Sequence, residues 1–254
     1  MLRTRVIPCL LLSGDGLVKT INFKKPAYVG DPINAVRIFN DKEVDELILL
    51  DIDASRQCRT PNYEVIRDIV SEAFMPVAYG GGIKSLEHAK KLVELGVEKI
   101  VINSVALENT NLIKDLSNCF GASSTVVAID IKKNVWGRYK LYNSRVGKFE
   151  RKDWQLYLKE IIELGAGEIL LNDISREGTG KGYNLEIIKE AVSLIDVPLI
   201  ASGGAGNLNH FSEAAKAGAS AVAAGSLFVY MGKHRAVMIN YPKYELIEGI
   251  FLNV

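Results

Sequence analysis

The sequence is poor in the residues that metal and redox chemistry draw on. It has three histidines in 254 residues, and its three cysteines, Cys9, Cys58 and Cys119, lie far apart without Cys-x-x-Cys spacing. This argues against a zinc site and against a disulfide framework; reduced thiols and a cytoplasmic setting are expected. Long apolar runs are missing as well. Nothing approaches the roughly 20 residues of a membrane span, and the opening Met1-Leu2-Arg3-Thr4-Arg5-Val6 carries no signal-peptide pattern. No membrane is expected as a partner. Neither charge dominates, with Lys+Arg at 31 and Asp+Glu at 30 for a formal net charge of +1. A nucleic-acid backbone demands a basic surplus, so nucleic acid is disfavoured as a partner. The glycine clusters lack the spacing and the downstream ribose-binding acid of a dinucleotide site, so no redox cofactor is expected.

What is present is the makeup of a packed globular protein, 48% hydrophobic and 24% charged. Eight short apolar runs recur, at 5–11, 46–52, 76–80, 98–103, 125–131, 167–172, 198–202 and 220–224. Between them lie stretches with helical spacing, such as Leu86, Ala89, Leu92 and Val93, or Ile187, Ile188, Ala191 and Val192. Pro61 reads as a first helical residue, and Gly96 and Gly218 as helix stops. Eight strand–helix units in about 250 residues match the count and length of a (β/α)8 TIM barrel, an α/β fold whose buried strands read as near-continuous Val/Ile/Leu runs. One barrel over 1–254 is therefore expected. The competing architecture is an open doubly wound sheet, which would bind at a single crevice.

An internal repeat favours the barrel. Shifting the sequence by 122 positions aligns 46–104 with 168–226 without a gap, and 16 of 59 positions are identical, among them Glu46/Glu168, Asp51/Asp173, Gly81/Gly203, Gly82/Gly204, His88/His210 and Ser104/Ser226. A period near half the chain describes two half-barrels, approximately 1–122 and 123–254, rather than a solenoid of roughly 20–50-residue units.

The repeat places glycines at strand ends. The third strand runs into Gly80-Gly81-Gly82-Ile83-Lys84-Ser85 and the seventh into Ser202-Gly203-Gly204-Ala205-Gly206-Asn207; Asn103-Ser104 and Gly225-Ser226 follow the fourth and eighth. Glycine lets backbone N–H groups approach an anion, and a helix N-terminus adds its dipole. Barrels commonly hold phosphate with the loops after strands seven and eight. Two such cradles facing across one mouth suit an elongated substrate with a phosphate at each end; the other reading is that the glycines only make tight turns. Between them, Asp51, Asp130, Asp173 and Glu177 are candidate acid–base groups. Asp130 is a single acid near the end of the apolar strand Val126-Val127-Ala128-Ile129-Asp130-Ile131, which suits a general acid or base unless it merely pairs with Lys132 or Lys19. Lys19 sits in the loop Ser13–Lys19, poised to close over an anion or simply solvated. His88 and His210 read as helix capping or packing residues, and Cys9 as a small buried barrel residue. The segment 132–153, flanked by Trp136 and Trp154, reads as an excursion after the fifth strand.

The stretches Tyr79-Gly80-Gly81-Gly82-Ile83, Gly165-Ala166-Gly167-Glu168-Ile169-Leu170-Leu171, Arg176-Glu177-Gly178-Thr179 and Ala201-Ser202-Gly203-Gly204-Ala205-Gly206 make the sequence resemble, along essentially its whole length, the cyclase subunit (HisF) family of imidazole glycerol phosphate synthase. The resemblance implies a glutaminase partner at the N-terminal face of the barrel, whose ammonia passes through the core to a phosphorylated substrate at the top. It implies an ammonia gate of Arg5, Glu46, Lys99 and Glu168, though an alternating-charge ring also serves as plain structure. It further implies Asp130, Lys19 and Glu177 as catalytic residues. Asp51, Asn103, Ser104, Gly178, Ser202, Gly225, Ser226 and the glycines 81, 82, 203 and 204 would contact substrate and phosphate.

The departures matter as much as the matches. The family pattern Cys-Leu-Asp is Cys9-Leu10-Leu11 here, so one of the two carboxylates that close the ring is replaced by a side chain unable to move a proton. The family's Asp in Arg-Asp-Gly-Thr is Glu177, which displaces a carboxylate by about 1.5 Å. With the gate kept and one acid gone, the sequence looks closest to family paralogues of bacterial surface-polysaccharide pathways, which share the Cys-Leu-Leu-Leu start and Phe-Lys-Lys-Pro-Ala-Tyr-Val-Gly-Asp-Pro. Those are implicated in supplying ammonia for an acetamidino sugar of lipopolysaccharide. An authentic histidine-pathway cyclase and a non-catalytic glutaminase activator are the alternatives.

Overall fold

The computed structural model describes residues 3–252, so the outermost two residues at either end of the expected 1–254 unit, including Met1-Leu2 of the leader reading, lie outside it. Eight parallel strands form the barrel: β1 (Arg5–Ser13), β2 (Leu47–Asp51), β3 (Val77–Gly80), β4 (Lys99–Ile102), β5 (Thr125–Lys133), β6 (Glu168–Asp173), β7 (Leu199–Ser202) and β8 (Ala221–Ala224). Each of the eight apolar runs supplies one of them. Neighbours pair in the order β6-β7-β8-β1-β2-β3-β4-β5, and β5 pairs back onto β6 from Val126↔Glu168 to Ile131↔Asp173, which closes the cylinder. Eight helices lie outside it: α1 (Pro32–Asp41), α2 (Tyr63–Glu72), α3 (Leu86–Glu94), α4 (Asn111–Phe120), α5 (Trp154–Glu163), α6 (Leu185–Val192), α7 (Asn209–Lys216) and α8 (Tyr244–Phe251). The open doubly wound sheet is thereby excluded.

Strand alternation sorts the apolar residues into two cores. Outward-facing Val6, Leu10, Leu47, Leu49, Ile129 and Val222 pack with the buried helix faces. Inward-facing Ile7, Cys9, Leu11, Ile48, Ala78, Val101, Val126, Ala128, Leu170, Ile200, Ala221 and Ala223 fill the interior. Because both faces of each strand are buried, the strands read as continuous runs rather than alternating ones. Gly96 and Gly218 stop α3 and α7 at φ of 100° and 103°, where a side chain would be strained. Pro61 is corrected: α2 begins at Tyr63 behind an Asn62 cap, as α6 begins behind Asn184, so the proline lies ahead of the helix. The capping asparagine supplies the acceptor that the first turn needs, and it is the repeated residue. His88 and His210 are helix-end residues as expected, each accepting a backbone N–H at Nδ1, from Lys84 (3.3 Å) and Gly206 (3.1 Å). Among the described residues no helix is long and apolar enough to cross a membrane.

Two segments expected to be loops are hairpins. The Ser13–Lys19 loop belongs to Gly16–Ile21, a strand antiparallel to the end of β1 through Leu11↔Val18 and Ser13↔Gly16, and Lys24–Gly30 returns beside it. The short run Leu17-Val18 through Ile21, rich in β-branched residues and preceded by Gly14 and Gly16, was its signal. The 132–153 excursion folds back on β5 through Ile131↔Leu141, continuing as Lys148–Phe149. A third, short hairpin, Tyr230–Met231 with Ala236–Val237, follows β8. All three spring from the C-terminal ends of barrel strands and rise around one mouth.

Candidate active site

The C-terminal mouth opens into a cleft of about 230 Å3. Its floor is the upper interior layer, with Cys9, Leu11, Val101, Ala128, Leu170 and Ala223; of the four candidate acids Asp51, Asp130 and Glu177 line it, whereas Asp173 does not, its carboxylate being turned into its own loop. At its centre Asp130 is buried. Its Oδ2 accepts from Asn103 Nδ2 (2.9 Å) and Ser144 Oγ (2.5 Å), its Oδ1 from Asn172 Nδ2 (3.0 Å). Burial pushes this carboxyl above the ordinary aspartate range, while the three donors pull it back by favouring the ion. Pairing with Lys132 or Lys19 is not what holds it: among the described residues Asp130 has no salt bridge.

Lys19 does not wave over the mouth. It is buried at 4% exposure and its Nζ donates to Cys9 O at 2.6 Å. Burial pushes its pKa below the ordinary lysine value. A Cβ on Gly225 would overlap the Lys19 ammonium, so that glycine makes room for the lysine as well as opening onto Ser226. Glu177 clamps the first hairpin, accepting from Thr20 Oγ1 and Phe23 N at 3.1 Å each, and burial raises its pKa. The hairpin turn is strained, with Asn22 and Phe23 at φ of 52° and 61°. Gly178 is needed because a Cβ there would run into Thr20 O.

Both repeated glycine pairs hold positive φ. A Cβ on Gly81 or Gly203 would sit 2.6 Å from the carbonyl of Asp51 or Asp173 respectively. The tight-turn role is therefore real, and it leaves backbone rather than side chains facing the cleft. Beside the glycines, short helices Ser104–Glu108 and Ser226–Val229 start at the cleft wall. Asp51 lines the cleft, but its Oδ1 is taken by its own loop, accepting from Asp53 N, Ala54 N and Arg59 Nη2 at 2.9–3.0 Å. Asp173 does likewise, accepting from Ser175 N at 2.8 Å and Asn184 Nδ2 at 3.1 Å. These equivalent acids fasten equivalent loops.

Several cleft residues escaped the sequence reading, among them Asn172, Ser144, Arg145 and Arg56. Asn172 was legible, since the inward series Glu168, Leu170, Asn172 of β6 parallels Val126, Ala128, Asp130 of β5. Ser144, Arg145 and Arg56 had no local signal, being brought in by loops that fold over the mouth. The net charge also concealed an uneven distribution. Residues 16–30, 132–152 and 230–238, which make up the three hairpins, hold 13 of the 31 Lys and Arg but one of the 30 acids.

At the opposite end of the barrel, Arg5 reaches Glu46 through Nη1 and Glu168 through Nη2, and Lys99 Nζ lies 2.9 Å from Glu46 and 2.8 Å from Glu168. The four form a closed ring of alternating charge. Three open strands; Glu46 lies one residue ahead of β2. Between ring and cleft the interior is apolar, with Ile7, Ile48, Ala78, Val126, Ile200 and Ala221.

A closed (β/α)8 barrel with a buried carboxylate between two glycine turns in one C-terminal cleft is of the class whose sites lie at the C-terminal face of the strands. The histidine biosynthesis protein family model matches residues 5–235, and the chain belongs to that family. It is 51% identical over 249 residues, 98% of this chain and 99% of the other, to a Pseudomonas aeruginosa protein provisionally named imidazole glycerol phosphate synthase subunit hisF2. It is 47% identical, over 95% and 94% of the two chains, to a Vibrio vulnificus protein provisionally named subunit hisF3 of that synthase. An Exiguobacterium sibiricum imidazole glycerol phosphate synthase subunit HisF is 40% identical over 90% of this chain and 91% of its own.

Proposed function

We propose that the chain is the ammonia-accepting, cyclase-type subunit of a cytoplasmic glutamine amidotransferase complex, with its glutaminase at the N-terminal face. The observation that carries this is the apolar column between the Arg5–Glu46–Lys99–Glu168 ring and Asp130. An ion entering such a column loses its hydration without replacement, whereas neutral ammonia loses little. Opening the ring needs only a rearrangement among four already neighbouring charges. At the mouth, the two glycine cradles would hold the phosphates of the substrate, Asp130 would move a proton at the reacting centre, and Lys19 would stabilise charge beside it.

Leu11 gives this function its particular form. It faces the cleft floor, buried in a cluster with Val18, Leu50 and Ile52, and no acid replaces it there. Asp15, on the first hairpin, is not proposed as a substitute acid, since it is outside the cleft lining with its Oδ1 3.5 Å from Asn62 Nδ2. The proposal is therefore a paralogue that delivers ammonia to an acceptor other than the histidine-pathway bisphosphate, the acetamidino sugar of surface polysaccharides being the candidate its resemblance suggests. The relatives at 47–51% identity carry provisional or numbered names and those at 38–40% the plain HisF name, in keeping with this reading. The second reading, an authentic cyclase, is favoured by the retention of both cradles. Purified protein given the imidazole glycerol phosphate synthase substrate and saturating ammonium at alkaline pH decides between them. No cyclisation, gained in Leu11→Asp, supports the paralogue; robust wild-type turnover that vanishes in Asp130→Asn establishes the cyclase.

A further inference from the structure

A second cavity, of about 240 Å3, lies between the first and second hairpins and joins the main cleft through the shared residues Phe23, Arg56, Ser144 and Arg145. Its lining includes four cations, Lys24, Arg56, Lys132 and Arg145, and no carboxylate. Only Arg145 has an ion-pair partner, Glu108, and its Nε is buried without any hydrogen bond. Lys132 rests over the Tyr142 ring at 4.5 Å, and Lys24 and Arg56 are unpaired among the described residues. Three cations without a salt bridge, of which Arg56 feels the Asp130 carboxylate, and a buried, unused guanidinium donor around one opening repel one another unless an anion enters.

We propose that this vestibule is an anion subsite distinct from the two glycine cradles, and that it takes the diphosphate of a nucleoside diphosphate group while the attached moiety reaches Asp130. The charge fits two linked phosphates better than one, and the arginines offer the planar donor fork that phosphate oxygens accept. Phe23, lining both cavities, gives a ring face for the base or sugar. The surrounding hairpins, with their concentration of lysine and arginine, steer such a polyanion toward the opening. This inference rests on the proposed function in one respect, that the main cleft is where the acceptor reacts, and it names the acceptor's class as nucleotide-linked.

The test is calorimetric titration of the full chain with uridine diphosphate and adenosine diphosphate, with ribose 5-phosphate as the single-phosphate control. The triple variant Lys24→Ala, Arg56→Ala, Lys132→Ala alters side chains at the rim, and its thermal melt should match that of the wild type. At low salt it should bind the diphosphates at least tenfold more weakly. A cradle-blocked variant, Ser104→Asp with Ser226→Asp, should keep diphosphate affinity and lose ribose 5-phosphate. Absence of wild-type diphosphate binding at millimolar concentration overturns the proposal, and so does loss that follows the cradles rather than the vestibule. Ammonium-dependent cyclisation measured on the same samples separates the two readings. Turnover without diphosphate binding removes the vestibule alone; diphosphate binding in the vestibule without turnover supports the subsite and a non-histidine acceptor together.

Discussion

The two ends of the barrel both concentrate charge, but they treat it in opposite ways. At the N-terminal end Arg5, Glu46, Lys99 and Glu168 neutralise one another in a ring, with both glutamates buried and each held by two cations. At the C-terminal end Asp130 is held by neutral amides and a hydroxyl, Lys19 by a carbonyl, and the vestibule cations largely by nothing. A self-satisfied ring presents no net field to an anion and suits the passage of something uncharged. An end where a buried acid is held by neutral donors and several cations make no ion pair suits a charged guest and proton transfer. On the proposed function, the same fold separates gating from chemistry along its axis, with an apolar column between.

The sharpest way to break the comparison is to remove the acid at the centre of the mouth. Asp130→Asn should lower ammonium-dependent turnover by about 10²- to 10⁴-fold, the usual worth of a positioned acid–base group, as steady-state kinetics on the cognate acceptor would show. The fold should survive, because Asn172 can flip its amide and present an oxygen to the new NH2. Burial raises the Asp130 pKa in the folded state, so the native protein binds more protons than the unfolded chain between the two values. Its contribution therefore opposes folding above that window and is relieved as pH falls through the folded pKa. Asp130→Asn removes this contribution, so it should melt at or above the wild-type temperature near neutral pH, with the difference vanishing in acid. A lower melting temperature at pH 7 would show that the ionised carboxylate is structural.

Leu11→Asp attacks the same contrast by adding a charge where the cleft floor has none. The substitution buries a polar group among Val18, Leu50 and Ile52 without an evident partner, at a cost of about 1–3 kcal/mol in denaturant melts. If the scaffold is otherwise that of a cyclase, cyclisation of the bisphosphate should rise about tenfold or more as a second acid–base group appears. Unchanged kinetics would place the specificity elsewhere at the mouth.

At the other end, Lys99→Met leaves Glu46 and Glu168 sharing only Arg5. Removing one member of a buried ion pair costs about 3–5 kcal/mol; Lys99 keeps a fifth of its side chain exposed, so about 1–3 kcal/mol is expected after screening. Turnover on added ammonium should stay near the wild-type level while glutamine-driven turnover with the glutaminase changes. Equal loss on both nitrogen sources would make the ring a structural brace alone.

How much of this was legible in the sequence divides along the same axis. The ring, the column and Asp130 lie on strands, where alternation fixes which residues share the interior, so Arg5, Lys99, Glu168 and Asp130 could be placed from spacing and resemblance. The repeat exposed the glycine turns for the same reason. Ser144, Arg145 and Arg56 belong to segments whose position depends on long-range docking, and no local pattern carries that. Lys19 was expected on a loop because the strand Gly16–Ile21 is short and its partner, Lys24–Gly30, is mostly exposed and rich in lysine. Net charge hid the uneven distribution for a physical reason: it sums over the whole surface, whereas 13 of the 31 Lys and Arg, with one acid, lie in the three hairpins.

The smallest expected effect tests how the mouth is held in shape. Glu177 bridges Thr20 and Phe23 of the first hairpin, and shortening it by one methylene in Glu177→Asp withdraws the carboxylate by about 1.5 Å. One or both hydrogen bonds at the hairpin should be lost, each worth about 0.5–1.5 kcal/mol. Global stability should therefore change little. The hairpin, strained at Asn22 and Phe23, should open locally far more often than the strands beneath it. Amide exchange reads this directly: faster exchange confined to 16–30 with unaltered protection in β5 and β6 identifies Glu177 as the clamp that sets the mouth. Exchange that stays slow there would mean that the packing of Leu17 and Val18 against β1 holds the hairpin without it.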